Sequence, residues 1–240
     1  RYLDLAIYKA DLVFVVSQIL FERVAEKKKE RVFLLANGVD VEHFSKALKD
    51  IALPSVFRRM KRPVIGYIGA LEDWIDFPLL KSIAATYRDY SIVLIGPAHP
   101  RVLKDVEEFR SFTNVFYLGK VPYEMLPNYL RGIDLCIIPF KINRLTKAAN
   151  PLKVYEFLAS GKRVVSSAIP EIEKLDVVKI AHSTDEFISR ISESLSEPPD
   201  TIRFLDVGNL NTWGRKARHM LNLMESGLRM KSQIPRGQSR

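Results

Sequence analysis

Residues 139–171 read PFKINRLTKAANPLKVYEFLASGKRVVSSAIPE. Just before them, Leu135-Cys136-Ile137-Ile138 is an unbroken apolar run, the pattern of a buried strand. It breaks at Pro139-Phe140 and opens into a polar loop that closes at Asn150-Pro151. Proline suits the first turn of a helix, so Pro151 marks a helix start, and Gly161 marks its end. Arg163-Val164-Val165-Ser166 then begins the next strand. Strand, polar loop, helix N-terminus, strand is the order of elements that holds phosphate-bearing ligands at the carboxyl ends of a parallel sheet. Lys153 and Glu156 share one face of the first helical turn. A cation there suits a diphosphate, and a carboxylate one turn on suits a vicinal diol such as ribose.

Outward from this stretch the chain repeats the same alternation. Apolar runs fall at 12–16, 32–35, 63–69, 91–95, 114–118, 134–138, 163–167 and 177–181, with amphipathic stretches of helical length between most of them. Continuous apolar strands separated by helices predict an α/β fold, a Rossmann-like parallel sheet covered on both faces. Segment 41–62 carries less pattern, with Pro54 and the basic run Arg58-Arg59-x-Lys61-Arg62, and reads as a linker or an ordinary surface loop. The first residue is Arg1, inside a helical pattern that leads straight into the strand at 12–16. We therefore expect a piece of a longer protein: residues 1–45 as the remnant of an N-terminal domain with an interdomain segment, 46–62 as linker, 63–228 as the ligand-binding domain, and 229–240 as a frayed basic tail.

Composition excludes several classes. The single cysteine, Cys136, lies inside an apolar run, which rules out an internal disulfide and a cysteine-rich metal site. The four histidines, at 43, 99, 182 and 219, lack ligand spacing, so no metal is expected. No run of 18 apolar residues occurs, as a spanning helix would need. The net charge of +9 is concentrated at the end: eight basic residues against two acidic from Arg203 to Arg240. Such an end keeps a protein soluble or holds it to an anionic membrane. No nucleic-acid-binding motif accompanies it, so no nucleic-acid partner is expected.

Taken together, these segments resemble the donor-binding C-terminal half of GT-B glycosyltransferases, the group that contains family 4. Glu156 followed by Phe157-Leu158-Ala159-Ser160-Gly161-Lys162-Arg163-Val164-Val165 looks like that group's ribose-binding Glu and the segment after it. Asn37-Gly38-Val39-Asp40 with Phe44 looks like its Asn-Gly-Val-Asp-x3-Phe segment. Gly66-Tyr67-Ile68-Gly69-Ala70 looks like its first strand and glycine loop, and Gly119-Lys120-Val121-Pro122 with Leu126-Pro127 and Tyr129 looks like its nucleotide-base loop and helix. The order and spacing of these pieces carry the likeness, from about residue 1 to about residue 225.

The resemblance implies a nucleoside diphosphate sugar donor, no cofactor, and a glycan or lipid-linked acceptor held by the N-terminal domain. It makes the chain a glycosyltransferase half that is inactive alone, in the cytoplasm or peripheral at the inner face of the membrane. The donor residues it marks are Gly69 and Ala70 at the first loop, Gly96 at the second, Val121 by the base, Thr146 and Asn150 by the sugar, Pro151 and Leu152 at the helix start, Lys153 by the diphosphate and Glu156 by the ribose. Glu156 is treated as an exposed helix position where alanine leaves the fold intact. Catalytic residues are not assigned.

Two departures from the family pattern stand out. The Lys-Gly pair expected after the first loop is replaced by Leu71-Glu72-Asp73-Trp74-Ile75-Asp76-Phe77, where Trp74 and Asp76 shape the sugar pocket or cap the next helix. The Glu expected eight residues before Glu156 is Ala148. That substitution leaves sugar identity and stereochemical outcome open. It also keeps two rivals in play: a nucleotide-sugar epimerase of the same fold, and a noncatalytic nucleotide-sugar-binding module. Finally, Trp213, Met220, Leu221, Met224 and Leu228 form an apolar stripe on a last helix, whose face is expected to be partly bare.

Overall fold

The computed structural model describes residues 2–232. All eight apolar runs form strands: β1 Val13–Val15, β2 Val32–Leu34, β3 Val64–Ile68, β4 Ser91–Ile95, β5 Val115–Gly119, β6 Leu135–Ile138, β7 Arg163–Ser167 and β8 Lys179–Ala181. β1 and β2 pair with each other in a small parallel sheet. The other six form one parallel sheet in the order β5-β4-β3-β6-β7-β8. Counted from β3 this is the doubly wound order 3-2-1-4-5-6, whose direction of travel reverses between β3 and β6. At that reversal the two flanking helices leave on opposite faces and open a crevice beyond the carboxyl ends of the strands.

The apolar runs are continuous because both faces of the central strands are covered. Every residue of β3, β4 and β6 is buried, while the edge strand β5 is only partly so. Burying each large aliphatic side chain here stabilises the fold by about 1.5–3 kcal/mol. One face of the sheet carries the helices Phe77–Thr86 and Thr184–Ser196, which touch each other. The other carries Leu126–Gly132 and Leu152–Ala159, with Thr201–Leu210 laid over the latter. That last crossing is close because Gly208 has no side chain: a Cβ there would come 3.2 Å from the Ala159 Cβ.

Segment 41–62 is more ordered than its weak pattern indicated. It forms the helical turns Val41–Phe44, Ser45–Leu48 and Ser55–Arg59, and it buries Phe44, Ala47, Phe57 and Met60 in the main core. Its apolar residues are spaced irregularly because short turns, not one helix or strand, present them. Gly132 receives the Phe57 ring, for a Cβ there would lie 2.6 Å from it. The 139–150 loop also holds a helical turn, Arg144–Lys147, fixed by a capping box between Asn143 and Thr146.

The last helix, Trp213–Ser232, leaves from the Asn37–Asp40 segment, where Val39 and Thr212 bridge and Gly38 makes room for the Trp213 ring. Trp213, Leu221 and Met224 are exposed, so the expected bare stripe is present as far as the described residues extend. The Leu228 side chain lies outside them, as does the tail 233–240 on which most of the expected frayed segment falls. No helix among the described residues is long and apolar enough to cross a membrane.

Candidate donor-sugar site

Three glycine-containing loops meet at the carboxyl ends of β3, β4 and β5. The Gly69 N–H donates to the Ile95 carbonyl, and the Gly96 N–H to the Gly119 carbonyl, each at 2.8 Å. Gly96 has φ +144°, and a Cβ on it would sit 1.9 Å from the Gly69 carbonyl oxygen. No side chain fits there. In this structure, then, the lack of a side chain at Gly96 lets one loop lie on the next.

Gly69 faces the crevice. A Cβ on it would lie 2.6 Å from the Tyr67 hydroxyl and 3.5 Å from the Lys153 Cε. The Lys153 stem therefore runs across Gly69. Its ammonium reaches Glu156 Oε2 at 2.8 Å. Glu156 is only 4% exposed, which corrects its reading as an exposed position: the helix is packed between the sheet and Thr201–Leu210, and every residue from Val154 to Ala159 is buried. A carboxylate so deep persists because it is paired, and the pair reaches solvent through Lys153.

The helix Leu152–Ala159 starts without a side-chain cap, since its N-cap is Pro151. By contrast, Ser17, Asp76, Asn143, Ser183 and Asp200 cap their helices with side-chain oxygens. The first-turn N–H groups of any helix lack intrahelical partners, and at Pro151 no side chain of the cap takes one up. An anion suits that place, and the cation of Lys153 adds to it.

Next to this helix start lies a cavity of about 340 Å³. Gly69, Ala70 and Trp74 line it from the β3 loop, and Phe140, Leu145, Thr146 and Ala149 from the segment after β6. Tyr67 forms its floor, and Pro151, Leu152 and Lys153 its helical side. The two loops are pinned together. The Lys141 N–H donates to the Trp74 carbonyl and the Asp76 N–H to the Pro139 carbonyl, both at 2.8 Å. Asp76 also caps the helix Phe77–Thr86 through the Leu79 N–H, as its position in the sequence indicated.

Of the ten donor residues marked in the sequence, Gly69, Ala70, Thr146, Pro151, Leu152 and Lys153 share this cavity. Glu156 is joined to it through Lys153. Gly96 lies beneath Gly69. Val121 is on the loop after β5, two residues before Tyr123, whose hydroxyl has its pKa raised by burial and then by the negative charge of Glu156. That loop is held by His43, which stacks on the Tyr123 ring at 4.4 Å and contacts the Tyr123 carbonyl at 3.0 Å. Asn150 faces away from the cavity: its Oδ1 accepts from the Asn37 N–H at 3.1 Å, and its carbonyl accepts from Asn37 Nδ2 at 2.7 Å. The Thr146 hydroxyl donates to the Lys141 carbonyl at 2.5 Å and accepts from the Asn143 N–H.

Tyr67, Phe140, Leu145 and Ala149 were not marked in the sequence. Only Tyr67 left a trace there, as the one aromatic in an otherwise aliphatic strand that ends at a glycine.

Residues 62–197 match the family model described as Glycosyl transferases group 1. This chain belongs to that family. A putative teichuronic acid biosynthesis glycosyltransferase, TuaH of Bacillus subtilis strain 168, is 31% identical to it over 172 residues, which make up 70% of this chain and 43% of that protein. The chain thus spans less than half of that curated relative. Among solved structures, HepE of Anabaena, determined in complex with UDP and glucose, superposes with a TM-score of 0.73 at 16% identity, covering 94% of this chain and 66% of that one. Sucrose-phosphate synthase from Thermosynechococcus elongatus gives 0.69 at 18% identity, over 93% of this chain and 60% of that one. At such identities these likenesses establish the fold, the Rossmann-like architecture of GT-B glycosyltransferases.

Proposed function

We propose that this chain is the donor-binding half of a glycosyltransferase that moves a sugar from a nucleoside diphosphate sugar to a glycan or lipid-linked acceptor. One observation carries the reading: at the reversal point of the sheet, Lys153 crosses Gly69 beside an uncapped helix start and pairs with the buried Glu156. In this reading the diphosphate lies over Pro151-Leu152, with Lys153 released to it from Glu156. Glu156 then accepts the ribose hydroxyls, and the base rests on the Val121–Tyr123 loop. The sugar occupies the cavity beside Ala70. As the bond to the sugar breaks, negative charge grows on the leaving diphosphate, and the helix start and Lys153 stabilise it in place.

The domain boundaries expected above belong to this proposal: residues 1–45 from an N-terminal domain, 46–62 as linker and 63–228 as the donor domain, with the acceptor held by the N-terminal domain. The cytoplasm is the proposed compartment, with the basic tail as a contact to anionic membrane. Neither the epimerase nor the noncatalytic module has an observation in its favour over transfer.

The test is an NMR titration of the chain with UDP, GDP and ADP at millimolar concentration. A half-site lacking closure is expected to bind at about −4 to −6 kcal/mol, high micromolar to millimolar. UDP is the first to try, because HepE was solved with it. The absence of any titratable shift at Leu152, Lys153 or Glu156 sinks the reading.

A further inference from the structure

The cavity beside Ala70 presents carbon. Trp74, Phe140, Leu145, Ala149 and Leu152 give it apolar walls. The two hydroxyls that line it are already engaged: Tyr67 donates to the Ala70 carbonyl at 3.0 Å, and Thr146 donates to the Lys141 carbonyl and accepts from the Asn143 N–H. Lys153, the one charged side chain among the described lining residues, is turned to Glu156. Among the described residues, no carboxylate, amide or uncommitted hydroxyl side chain lines the cavity.

A sugar hydroxyl pressed onto such a wall loses water and gains few partners, whereas a methyl group loses nothing and is drawn from water. The wall includes Leu145, which is 63% exposed and so open to a ligand. We propose that the donor sugar carries a methyl group, as a 6-deoxy carbon or as an N-acetyl group, and seats it against Trp74, Leu145 and Ala149. The proposal rests on the reading of this cavity as the sugar subsite.

The experiment compares matched donors on the 240-residue chain by NMR titration or calorimetry. UDP-glucose is set against UDP-N-acetylglucosamine and UDP-6-deoxyglucose, and GDP-mannose against GDP-6-deoxymannose, each with the bare diphosphate as reference. At least one methyl-bearing donor is expected to bind about three- to tenfold more tightly than its hydroxylated partner, the range for one buried methyl group in an open pocket. Whether the N-acetyl or the 6-deoxy arm shows the gain identifies the source of the methyl. Leu145→Ser, at an exposed position that tolerates serine, is expected to narrow that ratio to less than about twofold. Equal affinities, a preference for the hydroxylated sugar, or a ratio indifferent to Leu145→Ser overturns the inference while binding of the bare diphosphate keeps the donor-domain reading. Failure of every nucleotide to bind overturns both.

Discussion

Asn37 and Asn150, 113 positions apart, are joined by two hydrogen bonds: the Asn37 N–H to the Asn150 side-chain oxygen, and the Asn37 side-chain amide to the Asn150 carbonyl. Two more contacts run beside them. The Ser17 hydroxyl donates to the Ala148 carbonyl at 2.7 Å, and the Gln18 N–H donates to the buried carboxylate of Glu171 at 2.7 Å. The first three fasten the β1–β2 unit to the loop that ends at the Pro151 helix start, and the last ties it to the helical turn Pro170–Glu173 after β7. That unit adds little to the main core, so polar contacts carry much of its docking.

Removing one member leaves partners unsatisfied, at a cost of about 1–3 kcal/mol each. Asn150→Ala is therefore expected to loosen residues 13–34 more than the six-stranded sheet. Hydrogen exchange checks this: amides of β1 and β2 should lose protection while those of β3 and β6 keep theirs. Equal loss in both sheets would show that the pair matters only to global stability.

Glu156→Gln keeps the shape of a nearly buried side chain and removes its charge. If the carboxylate accepts from both ribose hydroxyls, each charge-assisted bond is worth roughly 1.5–3 kcal/mol. Nucleotide affinity is then expected to fall at least about tenfold, and less for a 2′-deoxynucleotide, which has already lost one partner. Binding of ribo- and deoxynucleotide by both proteins gives the coupling directly, and zero coupling removes Glu156 from the ribose. Glu156→Ala is the poorer probe, because it also strands Lys153 and leaves a void in a packed helix face.

Gly96→Ala forces a Cβ to within 1.9 Å of the Gly69 carbonyl at a φ of +144°. We expect a loss of about 3 kcal/mol or more, some 6 °C or more in Tm for a domain of this size. Gly119→Ala is the control: φ is +67° but nothing lies within 4 Å of its Cβ, so only the left-handed backbone costs, about 1–2 kcal/mol. Thermal denaturation of the two variants should rank them in that order.

Cys136 is wholly buried, and desolvation of the thiolate pushes its thiol up to about 12, against an ordinary 9.0. Between those values the unfolded chain releases the proton and the folded chain holds it, so fewer protons are bound on unfolding. The contribution of this group to stability is then complete below about pH 9 and declines as pH rises toward 12. Cys136→Ala should flatten that part of a denaturation-versus-pH curve. A thiol reagent at pH 8 should label the native chain only at the rate of its opening.

The amino-acid sequence alone determined the strands, whereas their order, and with it the reversal that makes the site, was decided by the tertiary structure. All eight apolar runs became strands, and the mark is strongest in the central strands β3, β4 and β6, which are covered on both faces and so must be apolar throughout. Pro151, Gly161 and Asp76 likewise marked helix ends, since caps depend on local backbone geometry. The 41–62 turns, the burial of Glu156 and the work of Gly96 were decided by tertiary structure. Each depends on what lies across from the residue: a core for Phe57 and Met60, the covered helix and the Lys153 ammonium for Glu156, the Gly69 carbonyl against Gly96. Asn150 shows the division most plainly. Its place before a helix start is written in the chain, but its partner is 113 residues away, and only folding brings the Asn37 amide to it.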